Sequence, residues 1–259
     1  MISVDAAQLY GWLNAFLWPF VRIAAFMATA PILGEASIPA RAKVGLAVFI
    51  ALVVAPTLPP PPTYSPASYE GLFIMLQQFL IGVMLGLIMR VVFAVVQTAG
   101  EFIGLQMGLS FASFFDPQTG ANTAVLARIM NMVAMLLFIA MNGHLLMLAG
   151  FIRSFDLLPI SANPIQAEGI AVLLDWSSHV LVSGMLLALP LIIVLLSISL
   201  ALGILNRTAQ QLSVFAVGFP ISLLVGLILL MIVLPQIAPF FERLVDSAIQ
   251  TMGRAINAL

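Results

Sequence analysis

The chain has 259 residues, of which 63% are hydrophobic and 7% charged, with a formal net charge of −1 and no cysteine. Soluble domains carry about 25% charged residues, and no soluble core of this size could bury so much apolar surface, so the composition specifies an integral membrane protein or a subunit of one. The near-neutral charge supplies no basic field for nucleic acid, and the lack of cysteine excludes thiolate catalysis, cysteine metal sites and disulfides.

Met1-Ile2-Ser3-Val4-Asp5 lacks the basic stretch of a cleaved signal peptide, so the first apolar run reads as a retained helix. No long structureless linker follows, and residues 1–259 read as a single integral domain. Length and hydropathy predict an all-α membrane protein with about six apolar helical segments arranged as helical hairpins, not all of which need span the bilayer in a simple way.

The first segment covers Leu9 to Leu33, with Pro19 and Arg22 inside it. The second, Val44 to Ala55, ends at Pro56. Pro59-Pro60-Pro61-Pro62-Thr63-Tyr64-Ser65-Pro66 then lacks backbone donors and favours a stiff turn, which must lie outside lipid or against protein. The third segment begins near Gly71 and shows no breaker until Asp116-Pro117, and is read as helix up to Gly108. As one helix it would be about 55 Å long, well beyond a hydrocarbon core of about 30 Å, so it either projects or bends near Gln97-Thr98.

On this segment Gly100, Gly104 and Gly108 lie four residues apart, nearly on one helix face, and Gly82 and Gly86 add a second small-residue pair. Such stripes let a neighbouring backbone approach closely. The segment runs into a turn carrying Phe111, Phe114 and Phe115 before Asp116-Pro117. A close-packed helix that ends in an aromatic loop reads as a part that docks or seals.

The fourth segment runs from Val125 to Phe151, and the fifth from Val180 to Leu205 with Pro190 inside. The sixth begins beyond Phe219-Pro220 and fades at Pro235 and Pro239; the last stretch, Phe240 to Leu259, reads as an amphipathic surface helix. With all six spanning, Arg41, Lys43, Arg128 and Arg207 fall on one side and Arg153, Arg243 and Arg254 on the other. That balance is too even to fix orientation.

Arg22, Arg90 and Arg153 sit within or beside apolar runs and must face protein, water or a headgroup. Met84 to Val96 offers Arg90 no acid, so its partner comes from elsewhere, unless the side chain snorkels. Acids cluster in loops and at helix ends, which argues against a proton or ion pathway. His144, after Asn142-Gly143, reads as a hydrogen-bonded structural residue, and neither it nor His179 has metal-motif spacing. Gly108-Leu109-Ser110-Phe111-Ala112 superficially matches a serine nucleophile motif, but a loop follows where such a site needs a helix start. Met75, Met84, Met89, Met107, Met130, Met132, Met135 and Met141 suit either an ordinary core or a surface that seals and moves.

Taken in order, several pieces resemble the FliR and injectisome export-gate family of type III secretion, over nearly the whole chain. They are Pro31-Ile32-Leu33-Gly34 with Ile38-Pro39-Ala40-Arg41, Gly104-Leu105-Gln106-Met107-Gly108, Asp116-Pro117-Gln118-Thr119-Gly120, Gly143-His144, Ser154-Phe155 ahead of Pro159, and Asn206-Arg207-Thr208-Ala209-Gln210-Gln211-Leu212-Ser213-Val214-Phe215-Ala216-Val217-Gly218-Phe219-Pro220. The family usually has proline where this chain has Gln210 and asparagine where it has Ser213.

The resemblance implies a subunit of the flagellar type III secretion export gate in the bacterial inner membrane, within the flagellar basal body. There it joins FliP and FliQ in a helical channel for unfolded flagellar export substrates, with FlhB and FlhA adjoining and membrane lipid around it. It implies a plug loop over Leu109 to Asn122, with Phe111, Phe114 and Phe115 sealing and Asp116-Pro117 turning the chain. Arg90, Arg207, Gln211, Phe215, Gly218 and Pro220 are the expected subunit contacts, and no enzyme activity, metal or cofactor is expected. An injectisome homologue of the same gate, a small-solute permease with a polar site near Arg90 and Asn142, and an intramembrane protease using Ser110 are the alternatives.

Overall fold

A computed structural model describes residues 6–60, 62–109, 125–208 and 214–259. Seven α-helices make up most of them: α1 (Ala6–Thr29), α2 (Ala40–Val54), α3 (Tyr69–Gln106), α4 (Val125–Ala140), α5 (Gly143–Leu157), α6 (Glu168–Thr208) and α7 (Val214–Asn257). No strand occurs among the described residues. Five helices are long and apolar enough to cross a membrane, or six spans if α4 and α5 count as one bent pair. The expected all-α membrane architecture therefore holds.

Three of the expected segments differ in detail. The fourth is two helices meeting at 71°. Asn142 causes the break by adopting φ 56°, a left-handed conformation that an asparagine tolerates, and its carbonyl then accepts from Leu145 and Leu146 to start α5. The fifth begins at Glu168, twelve residues earlier than Val180, because polar residues there stay helical; Ser177 satisfies its hydroxyl by donating to the Leu173 carbonyl at 2.8 Å. The sixth continues through Pro220, Pro235 and Pro239 to Asn257 as one helix of 44 residues. Its C-terminal stretch is no separate surface helix, since Val245, Ala248, Met252, Ala255 and Ile256 are buried. The third segment is one unbroken helix of 38 residues, about 57 Å long.

The chain clusters into two compact units. Unit one comprises Met1–Val91, Asn142–Ser177 and Val245–Leu259. In it α1 packs on α2, and α1 buries Trp18, Arg22 and Phe26 on one face, one turn apart. Phe26 stacks on Phe151 of α5 at 4.1 Å, and Phe151 meets Phe155 edge to face at 5.7 Å. The proline-rich connection lies against protein: the Asn14 amide donates to the carbonyls of Pro62 and Tyr64 at 3.1 and 2.7 Å. The turn between α1 and α2 holds Ile32 at φ 64°, a costly conformation for a β-branched residue, and Lys43 closes it by donating to the Gly34 carbonyl at 3.0 Å.

Unit two comprises Val92–Met141 and Ser178–Leu244. At its core Phe93 of α3, Phe138 of α4 and Phe241 of α7 form a triangle of edge-to-face contacts, with ring centroids 5.4, 5.6 and 6.5 Å apart. Met107 and Met130 are also buried here, and Met84 and Met89 in unit one, as in an ordinary core.

Candidate functional site

The glycines predicted for close packing on α3 and just beyond it fall into two roles. In unit one, a methyl group on Gly82 would collide with the Arg22 carbonyl and come within 2.8 Å of the Ala25 Cβ; on Gly86 it would collide with the Thr29 hydroxyl and reach 2.9 Å from the Ala30 nitrogen. Bare backbone at these positions is what lets α1 lie against α3. In unit two, Gly100 performs the same task against α4, where a methyl would lie 2.6 Å from the Ala127 Cα. Gly104 is buried.

Gly108 has a different job from the packing expected of it. It lies beyond the end of α3 at φ 80°. Its N–H donates to the Leu105 carbonyl at 3.0 Å, and the Leu109 N–H to that of Gly104 at 3.0 Å. This pair of bonds around a left-handed glycine is a Schellman cap, which stops the helix and satisfies its last carbonyls. The cap fixes where the chain leaves α3. Phe111, Phe114, Phe115, Asp116 and Pro117 follow at once, and these expected plug residues lie outside the described residues, as does Ser110.

The expected subunit contacts are spread along three helices. Arg90 is exposed on α3, and among the described residues no ion pair or hydrogen bond to it is found. Arg207 is exposed in the last turn of α6. Gly218 is buried and Pro220 exposed in α7; Phe215 lies in the first turn of α7, and Gln211 lies outside the described residues. Asn142, paired with Arg90 in the permease alternative, acts through its backbone at the bend, and among the described residues no hydrogen bond joins the two. His144, expected to be hydrogen bonded, has its Nδ1 enclosed with no partner among the described residues.

Arg22 is fully buried, as an intramembrane arginine must be if it is to face protein. Its Nε donates to Gln78 Oε1 at 2.7 Å, Nη1 to the Ser154 carbonyl at 3.1 Å and hydroxyl at 3.3 Å, and Nη2 to the Leu158 carbonyl at 3.0 Å. The guanidinium also lies 4.3 Å from the Phe155 ring centroid. Every one of these partners is neutral. The charge is met by carbonyls at the C-terminal end of α5, where the helix dipole is negative. Sequence reasoning located the arginine but not these acceptors; the signal was Gln77-Gln78, a polar pair in the middle of an apolar helix.

The fold thus defines a class: an integral membrane protein built on a close-packed α1–α3 pair, a neutral cradle for a buried arginine and a helix end capped at Gly108. A family model described as "Bacterial export proteins, family 1" matches residues 13–248. Proteins named flagellar biosynthetic protein FliR are similar along the chain: the Escherichia coli K12 protein is 46% identical over 100% of this chain and 99% of its own length. The Pectobacterium carotovorum protein is 47% identical over the same shares, and the Bacillus subtilis protein 34% identical over 92% and 93%. The chain belongs to the FliR family of bacterial export proteins.

Proposed function

We propose that the chain is a non-enzymatic subunit of the flagellar type III export gate in the bacterial inner membrane, acting as a single gate domain. In this reading it forms part of a helical channel with FliP and FliQ, beside FlhB and FlhA, and passes unfolded flagellar proteins. The family membership supports the export role.

The observation that carries the assembly is the mismatch between helix length and cover. Helices α6 and α7 have 41 and 44 residues, about 62 and 66 Å along their axes, roughly twice a bilayer core. Their most apolar stretches are only 22% and 11% buried within the chain. The chain itself covers part of each, with Val245, Ala248 and Met252 of α7 buried in it; lipid covers a bilayer's length of the exposed stretches, and in this reading partner helices cover the rest.

The gate closes through the loop launched by the Gly108 cap. Phe111, Phe114 and Phe115 seal a narrow path by apolar contact that excludes water and ions, and Asp116-Pro117 turns the loop back. Opening is a shift between two packings, without a covalent step. Arg90, Arg207, Gln211, Phe215, Gly218 and Pro220 meet the partner subunits. The test is ion leakage through assembled complexes: replacing both Phe114 and Phe115 with alanine raises it while assembly persists, and an unchanged leak in assembled complexes would sink the plug.

A further inference from the structure

The part of α3 that belongs to unit two is enclosed by the chain on all sides but one. Val95, Val96, Ala99, Gly100, Ile103 and Gly104 are buried, while Gln97, Glu101 and Leu105 are exposed at a spacing of four. Residues so spaced form one narrow stripe along a helix. The polar part of the stripe is a linked pair, in which Gln97 donates from Nε2 to Glu101 Oε1 at 3.4 Å.

Two glycine contacts fix what flanks the pair. Helix α6 crosses α3 at Gly184, where an added methyl would lie 3.2 Å from the Thr98 Cβ and from the Val95 carbonyl oxygen. Helix α4 meets it at Gly100, against Ala127. Within one turn of these contacts both neighbours turn apolar side chains outward: Leu181, Val182, Met185 and Leu186 on α6, and Val125 and Ile129 on α4. Arg128 is the one charged residue among them, and from Val180 to Leu205 α6 carries no charge at all. At one level, therefore, unit two shows two kinds of outer surface. The apolar flanks argue against this end of α3 simply standing in bulk water, since outward leucines in a patch need lipid or apolar protein.

A carboxylate facing hydrocarbon is expensive, and the Gln97 amide meets only one of its several acceptor sites. The stripe thus faces something polar. A closely packed partner helix fits it poorly. Where the chain's own helices cross α3 a glycine makes room, but every glycine of α3 is buried in the chain, and the long side chains of Gln97, Glu101 and Leu105 hold another backbone away. Water fits it well, and a polar helix face turned to water inside apolar surroundings marks a path.

We propose that the Gln97–Glu101 stripe of α3 lines the aqueous path of the gate, turned toward the polypeptide in transit. This assignment rests on the export-gate reading above. An amide and a carboxylate side by side offer a passing backbone both a donor and an acceptor.

The test is thiol accessibility. The chain has no cysteine, so Gln97→Cys, Glu101→Cys and Leu181→Cys each give it a single reactive position. In complexes with FliP and FliQ held in lipid nanodiscs, a membrane-impermeant maleimide labels the first two variants about tenfold faster than the third, because a thiol in apolar surroundings ionises less readily. Equal rates at all three positions would overturn the proposal. So would protection of positions 97 and 101 in the complex but not in the isolated chain, which would mean that a partner covers the stripe. Particle mass separates these results from a failure of the gate reading: a chain that forms no complex with FliP and FliQ overturns that reading and this assignment with it.

Discussion

Helices α3 and α7 have the same mean hydropathy of 2.6 in their most apolar stretches, yet 67% of that stretch is buried in α3 and 11% in α7. Composition cannot distinguish them; small residues and polar pairs can. Helix α3 carries Gly82, Gly86 and Gly100 where neighbouring backbones arrive, and Gln78 where a buried arginine needs an acceptor. Helix α7 shows Leu224, Leu227, Ile228, Met231 and Ile232 to the outside. The apolar stretch of α3 faces the chain's own interior, whereas that of α7 is left open by the chain and only the C-terminal part of α7 is buried in it. Substitutions should separate the two in kind as well as in size.

The largest effect falls on the α3 side. Arg22→Ala leaves Gln78, Ser154 and the Leu158 carbonyl buried without their donor and opens a cavity, and it lowers the stability of the chain in detergent by about 3–5 kcal/mol. A thermal or denaturant melt reads it, and a loss below about 1 kcal/mol would show that the cradle matters little. Gly86→Val drives a branched side chain into Thr29 and the Ala30 backbone, costing about 3 kcal/mol in the same assay. Gly108→Ala sits at a left-handed position with φ 80° and costs about 1 kcal/mol. If the plug begins where that cap ends, the variant also raises ion leakage through assembled complexes. The smallest effect belongs to α6 and α7: Leu200→Ala and Met231→Ala, both strongly exposed, each change the melt by less than about 0.5 kcal/mol but lower the yield of partner complexes. A destabilised isolated chain with normal assembly would reverse the comparison.

Much of this was legible before the structure. Apolar runs located the long helices because hydropathy averages over many residues. The requirement that Arg22 face protein followed from the cost of a bare charge in lipid. Its acceptors did not follow, because Gln78 and Ser154 lie 56 and 132 residues away and nothing local specifies either. The bend at Asn142 carried a signal, an Asn-Gly pair, which hydropathy passes over because one left-handed residue changes direction without changing polarity. Pro235 and Pro239 misled in the opposite sense. A proline removes one donor and strains one carbonyl, but both residues are exposed at a spacing of four, on one side of α7, so the helix persists. Gly108 was taken for packing since its spacing from Gly104 is helical; only its backbone angle reveals the cap.

The central proposal is that other subunits cover the exposed apolar faces of α6 and α7. Its most direct test is the particle mass of the tagged chain purified in mild detergent, alone and co-expressed with the FliP and FliQ subunits. A large complex of fixed composition, formed only with those partners, is the predicted result. A well-behaved monomer or small homo-oligomer of the same mass in both preparations would contradict it.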